Sequence, residues 1–290
     1  KKINLHISKN QISDYWKNME KVAYYNDEPC AWTNFHLVYS LSKLIKKNNL
    51  KVAFSGEGSD ELLFGYERFK RTNLLFQKGE KKNNLTNIFF GHGINNLDMI
   101  GKILQEKSIV GKVYESSSWQ WLNKISNKFD LNTSQLLFAQ KYRLQGLLQR
   151  QDRASMAHGV ESRSPFLMPA FVNWANSIPM SYKYNKNSKI NKLILRKYMS
   201  KYLHKNITNI KKIGFENDFD YQFKKKEFQK KIISIISEKD SFTSNYLNSQ
   251  EILEIFRNKK LMYKYWTIIR YILCIEVWYK VFYRKNYIAT

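Results

Sequence analysis

Cysteine, proline and glycine are scarce in this chain of 290 residues, at 2, 4 and 11. Two cysteines, Cys30 and Cys274, cannot build a disulfide framework and have no metal-ligand spacing, so a reducing compartment is expected. So little glycine and proline excludes collagen-like and low-complexity chains. Arginine is short as well: ten of the 49 basic residues, the others all lysine. Arginine is the residue expected at bidentate phosphate or base contacts. The net charge of +25 therefore reads as a lysine-rich solvated surface and not as a nucleic-acid footprint. The lysine runs, such as Lys46-Lys47 and Lys224-Lys225-Lys226, are short and spread along the chain. A signal-peptide pattern is missing. The most apolar late run, Tyr265 to Phe282, carries Arg270, Glu276 and Lys280, which suits a buried helix better than a membrane span. A cytoplasmic protein without nucleic-acid or membrane partners is expected. There is no initiator Met before Lys1, and a C-terminal piece of something longer is the expectation.

What is present is a packing inventory. The chain is 43% hydrophobic and 15% aromatic, which excludes wholesale disorder and requires a core. Residues 2–7 alternate like a short strand. Residues 11–24 read as a helix with Trp16, Met19 and Val22 on one face, and 35–48 as a helix with Leu37, Leu41, Leu44 and Ile45 inward. Lys51 to Ser55 is a short apolar run bounded by turn signals, expected to be a buried strand. A helix feeding such a strand is half of a parallel α/β unit. Residues 78–96 are polar and glycine-bearing, as in a surface insert or lid. Helices are expected over 134–151, 168–177, 189–203, 225–237, 250–257 and 262–283.

Three stretches carry chemistry. Ser55-Gly56-Glu57-Gly58-Ser59-Asp60-Glu61 follows the strand, where ligands sit in open parallel sheets. Its three carboxylates repel unless a cation neutralises them, and Mg²⁺ with nucleotide phosphates is a natural partner. A solvated acidic turn in which Asp60 caps the next helix explains the same residues equally well. Residues 151–167 alternate charge, Asp152/Arg153 and Glu161/Arg163, as in a buried ion-pair network or a carboxylate clamp. Asp152, Arg153 and Ser155 read as structural there, and His158, with no ligand partner at metal spacing, as a structural hydrogen-bond former. Lys211-Lys212-Ile213-Gly214-Phe215 is either a basic loop or a lysine delivered to a phosphate by a glycine hinge.

In this order the three stretches resemble the synthetase domain of the glutamine-hydrolysing asparagine synthetase family. The family reads approximately SGEGSDE-L-F-G-G-Y, then DR-x-SMA…E-x-R-x-PFLD, then K-x-GF. The chain has Ser55 to Glu61, then Leu62, Leu63, Phe64, Gly65 and Tyr66, then Asp152-Arg153, Ser155-Met156-Ala157, Glu161, Arg163 and Pro165-Phe166-Leu167, then Lys212, Gly214 and Phe215. Asp27-Glu28-Pro29, the pair Lys192 and Arg196, and Trp266 with Glu276 and Trp278 also fit.

The resemblance implies an α/β fold of the adenine-nucleotide α-hydrolase-like, ATP-pyrophosphatase kind, truncated, with a mainly helical C-terminal part. Residues 1–290 would be one synthetase domain: 1–72 the remaining α/β core, 73–125 an insert or lid, 126–290 mainly helical. It implies ATP and Mg²⁺, an aspartate-like carboxylate substrate, a glutaminase domain upstream in the same polypeptide, and a homodimer as one assembly. Ser55 and Gly56 would contact the nucleotide and Asp60 would hold Mg²⁺–pyrophosphate. Glu57 would act near the acyl-adenylate and Lys212 at the α-phosphate, with Glu61 and Arg163 supporting.

Departures are specific. No Ser-Gly-Gly pyrophosphate loop occurs, nor an N-terminal Cys nucleophile. Phe64 replaces the first glycine of GGY, Met168 follows Pro-Phe-Leu in place of Asp, and Glu216-Asn217-Asp218 follows Gly-Phe in place of Pro. Relatives on this scaffold amidate sugar acids or close β-lactam rings, so another acceptor, or a non-catalytic remnant, stands as the alternative. The piece by itself is expected to be inactive.

Overall fold

The computed structural model describes residues 4–29, 34–77, 85–86, 88–89, 97–106, 108–185, 190–210, 214 and 219–284. Helix α1 (Ile12–Asn26) starts where the Gln11 N–H donates to Asp14 Oδ2 at 2.7 Å and stops at Asp27, which is left-handed with φ 62°. Its apolar side serves two cores. Trp16 and Met19 lie against the large helical core, while Val22 packs with Phe35, Val38, Tyr39 and Ala154.

Helix α2 (Phe35–Lys47) buries Phe35, Val38, Tyr39 and Ser42, a set spaced by three and four. The expected inward row was Leu37, Leu41, Leu44 and Ile45; the structure turns it outward or leaves it half-buried, with Leu41 38% exposed. The reason is the partner. α2 packs on α1 and on the helix Leu144–Met156, and both lie on its Phe35 side.

Strand β1 (Val52–Phe54) pairs in parallel with β2 (Glu161–Arg163), Val52 opposite Glu161 and Phe54 opposite Arg163. Burial of β1 is corrected by the structure: Val52 is 39% and Phe54 75% exposed. Parallel strands are covered when helices lie on both faces and strands on both sides. Among the described residues β1 has β2 on one side and no neighbour on the other. The expected strand at residues 2–7 is likewise absent over its described part, 4–7, where Leu5 and Ile7 are exposed and the backbone is irregular. With no strand alongside, its main chain has no ladder to join. A second sheet is a two-stranded antiparallel ribbon, Tyr184–Asn185 with Ile190–Asn191.

The remainder is helical, so the described chain is a mostly helical α/β protein with a small parallel sheet. The long last helix, Lys259–Phe282, is capped by Asn258, whose side chain accepts from the Lys260 and Leu261 N–H groups. It buries Met262, Ile268, Ile269, Ile272, Leu273 and Val277 against Phe228, Ile232 and Ile236 of the helix Lys226–Ile236 and Ile252 and Ile255 of the helix Ser249–Arg257. Glu276 is buried here and accepts from the Phe242 and Thr243 N–H groups, so it caps a neighbouring helix. Burial holds its carboxyl above the usual range and pushes the Cys274 thiol up to about 12. Among the described residues no helix is long and apolar enough to cross a membrane.

Most of 78–96, expected as a surface insert, lies outside the described residues. The parts described are not superficial: Ile88 is buried with Leu122, Ile125 and Phe138, and Phe89 packs edge-on against Trp119 and at a tilt against Phe138. Helices Leu97–Leu104, Ile109–Glu115 and Ser117–Ser126 follow. The long helix expected at 134–151 spans Leu131–Met156 with a π-helical stretch, Ala139–Arg143, inside it. Such bulges re-aim side chains within a helix.

Candidate functional site

The acidic loop leaves the carboxyl end of β1 and enters α3 (Ser59–Leu63) at once. Two of its glycines have different work. Gly58 is left-handed (φ 88°), and a Cβ there would lie 2.3 Å from Leu167 of the Pro-Phe-Leu motif. Gly56 has no atom within 4 Å of where a Cβ would be, so its backbone is open to approach. The loop is tied to β2 by the Ser55 N–H, which donates to the Arg163 carbonyl at 2.8 Å, and by a hydroxyl pair, Ser55 Oγ and Ser164 Oγ at 2.9 Å. The first two motifs are therefore one structure. The cap of α3 is Gly58, and Asp60, expected as a cap in one reading, sits inside the helix.

Asp60 faces Lys192, whose Nζ stands 2.8 Å from its Oδ1 and donates to Ser59 Oγ at 2.8 Å. Lys192 is itself left-handed, φ 50°, a backbone state that costs a non-glycine residue roughly 1–2 kcal/mol. Gly65 makes room for this pair: a Cβ on it would fall 1.7 Å from Asp60 Oδ1 and 2.4 Å from Lys192 Cε. Asn191 Nδ2 donates to the Gly65 carbonyl at 2.6 Å. Arg196 then donates to the Asn191 carbonyl at 2.8 Å and to the Ile210 carbonyl at 3.0 Å. Lys212 itself, with Phe215, lies outside the described residues; Gly214 between them is exposed.

Glu57 is 21% exposed and pairs with Arg150, whose side chain is 4% exposed. Arg150 also donates from Nη1 to Asn34 Oδ1 at 2.9 Å. Glu61 is buried and accepts from the Tyr66 hydroxyl, while its carbonyl accepts from Gln140 Nε2 at 3.3 Å. The guanidinium groups of Arg68 and Arg143 lie over the Tyr66 ring, 4.6 and 5.0 Å from its centroid. Burial and the neighbouring Arg143 pull Arg68 down to about 9. Burial and Glu61 push the Tyr66 hydroxyl well up, so it stays a donor.

Ser55, Gly56 and Glu57 thus lie in the loop and Asp60 in the first turn of α3 that follows it, with Glu61 buried behind them. Arg163 is on the neighbouring strand but points its guanidinium to Glu161, at 2.9 Å, and both side chains are 56% exposed. A buried network was one of the two readings of this stretch; the pair lies at the surface instead, and the helix Leu144–Met156, which packs on β2, does not cover it. Arg153 stands 4.0 Å from Glu28. His158 lies against the Tyr39 ring at 4.3 Å, and burial first, then Lys43, holds it below the usual histidine range. That is a structural place.

Arg150 and Asn34 were not foreseen. A signal existed: in a chain so poor in arginine, Arg68, Arg143, Arg150 and Arg196 are all engaged beneath or beside the loop. Phe64, in place of the family's glycine, keeps the glycine-like backbone, φ 58°, and is fully buried against Phe69 and Tyr184. Among the described residues no three His, Cys, Asp or Glu side chains converge as a metal site.

Comparison with known proteins places the chain in a family. The family model for asparagine synthase matches residues 1–280. The chain is 25% identical to asparagine synthetase [glutamine-hydrolyzing] 1 of Bacillus subtilis over 311 aligned positions, covering 94% of this chain and 47% of that protein. It is 28% identical to the putative asparagine synthetase [glutamine-hydrolyzing] 1 of Methanocaldococcus jannaschii over 146 positions, 50% of this chain and 18% of that one. The chain thus spans less than half the length of the curated relatives it matches. With an acidic loop, a Pro-Phe-Leu contact and a family match that runs through both, this chain belongs to the asparagine synthase family.

Proposed function

We propose that the polypeptide carrying this chain is an ATP-dependent amide-forming ligase that converts aspartate to asparagine. The observation that carries the reading is the loop Ser55 to Asp60 at the carboxyl end of β1, with an open backbone at Gly56 and a half-open Glu57 beside it. The fold it extends is the adenine-nucleotide α-hydrolase-like one, with further parallel strands beyond β1. Ligands of open parallel sheets sit at this end of the strands.

The chemistry has two steps. The side-chain carboxylate of aspartate attacks the α-phosphorus of ATP, and the bond to pyrophosphate breaks. Ammonia then attacks the acyl carbon, a C–N bond forms, AMP leaves with the C–O electron pair, and the nitrogen sheds a proton. The first step gathers negative charge on phosphate oxygens, where a cation lowers the barrier. Lys212 is the proposed donor at the α-phosphate, and Ser55 and the Gly56 backbone are the proposed nucleotide contacts. Glutamine, through a domain that precedes this one, is the proposed nitrogen source.

A divalent cation fits these residues poorly by themselves. Asp60 is one carboxylate, and the Lys192 ammonium already neutralises it at 2.8 Å. Mg²⁺ takes one or two carboxylates and fills the rest with phosphate and water, so an ion at Asp60 depends on ligands that the nucleotide brings.

The complete protein, supplied with ATP, aspartate and ammonia, should release pyrophosphate and AMP in equal amounts with asparagine. Release that does not depend on aspartate, or its absence, would overturn the reading.

A further inference from the structure

Each of the loop's three carboxylates has a partner within the fold. Asp60 meets Lys192, and Glu61 is buried under the Tyr66 hydroxyl. Glu57 differs. Its partner, Arg150, is sealed at 4% exposure, and Glu57 itself keeps 21% of its side chain open. Arg150 comes from the middle of the helix Leu144–Met156 and is fixed on its other side by Asn34 Oδ1 at 2.9 Å. A buried guanidinium with two acceptors in a planar fork has little freedom to move. It also only donates. The Glu57 oxygen that it touches is therefore held as an acceptor, in one orientation.

We propose that Arg150 is a positioning residue which fixes Glu57 toward the nitrogen that attacks the acyl-adenylate. The proposal rests on the ligase reading above. Charge development decides which step Glu57 serves. In adenylation, negative charge grows on phosphate oxygens, and a nearby carboxylate opposes it. In amide formation, positive charge grows on the attacking nitrogen, and a carboxylate stabilises it while accepting one N–H. A fixed Glu57 thus favours the second step. Freedom to swing costs that step alone, because misplacement by about 1 Å lowers such a rate on the order of 100-fold.

Two readouts on the complete protein separate the steps. Aspartate-dependent exchange of labelled pyrophosphate into ATP reports adenylation, and asparagine formation from ammonia reports both. Arg150→Met should lower asparagine formation on the order of 100-fold and exchange far less. Glu57→Gln should show the same split, and the double variant should be no worse than Glu57→Gln, as expected for groups that act as a unit. Arg150→Lys, which keeps the charge and loses the fork, should recover part of asparagine formation. If Arg150→Met does not fold, as judged by circular dichroism, the same split in Arg150→Lys decides. Equal losses in both readouts, or additive effects in the double variant, would overturn the role of Arg150 and leave the ligase reading standing. Absence of exchange in the wild-type protein would instead overturn the ligase reading.

Discussion

Leu273 and Ile269, on the last helix, are fully buried, while Phe54, three residues before Glu57, is 75% exposed. Around the last helix every turn presents an aliphatic or aromatic side chain to a partner helix, and of its charged residues only Glu276 is buried. Around the acidic loop the strands are three residues long, and the ties are polar: Ser55 to Ser164, Asp60 to Lys192, Glu57 to Arg150, Asn191 to Gly65. Non-directional burial supplies stability in the first region. Directional hydrogen bonds set positions in the second, at small net gain in free energy. A protein arranged this way can lose its chemistry without unfolding, and can lose its fold through residues that never approach the loop.

That contrast can be broken from either side. The largest effect should come from the helical body. Leu273→Ala should cost about 2–5 kcal/mol of unfolding free energy, read as a fall in the urea midpoint. A shift under about 1 kcal/mol would mean that the body is loosely packed. Next is Gly65→Ala, whose added methyl meets Asp60 and Lys192. It should cost about 1–3 kcal/mol and separate the ion pair in a crystal structure of the variant. An intact pair would show that the loop is more compliant than its contacts suggest. Third is His158, whose neutral form the fold prefers because it is partly buried beside Lys43. Its folded pKa lies below the unfolded one, so the unfolded chain binds the extra proton first. Stability should therefore fall as pH drops below about 6.5 and level off below the folded value. His158→Gln should flatten that part of the urea profile. Smallest is Phe54→Thr. Exposed as it is, the ring should contribute within about 0.5 kcal/mol, and a larger loss would show that β1 is buttressed after all.

How far the sequence could be read follows the same division. Helix positions near 12–26, 169–177, 226–236, 249–257 and 259–282 were legible, because an amphipathic stripe repeats every 3.6 residues whatever lies across from it. The buried face of α2 was not. Phe35, Val38 and Tyr39 form one apolar row and Leu37, Leu41 and Leu44 another, and only the position of the helix Leu144–Met156 chooses between them. Burial of β1 was misjudged for a related reason: an apolar triplet states what it would bury, and its neighbours decide whether it does. Ser55, Gly56, Glu57 and Asp60 were legible as a candidate site from the loop motif. Their partners were not, since Arg150 is 93 positions from Glu57 and Lys192 is 132 from Asp60. No spacing rule spans such distances. Phe64 shows the limit in the other direction, since its left-handed backbone would suggest glycine and its packing requires a ring.

The open side of β1 also has a colloidal consequence. Ser55 donates to β2 and Lys51 accepts from it, so residues 51, 53 and 55 turn their main-chain groups toward that strand. Val52 and Phe54 turn theirs to the side where no strand lies among the described residues, beside two exposed apolar side chains. Such an edge is a template for any passing strand. Copies of this chain repel one another through their shared charge of +25, and salt shortens the reach of that repulsion to about 10 Å at 0.1 M. Unlike most basic proteins, which salt releases from their partners, this one should self-associate more readily as ionic strength rises, with light scattering climbing where dilute buffer leaves the solution clear.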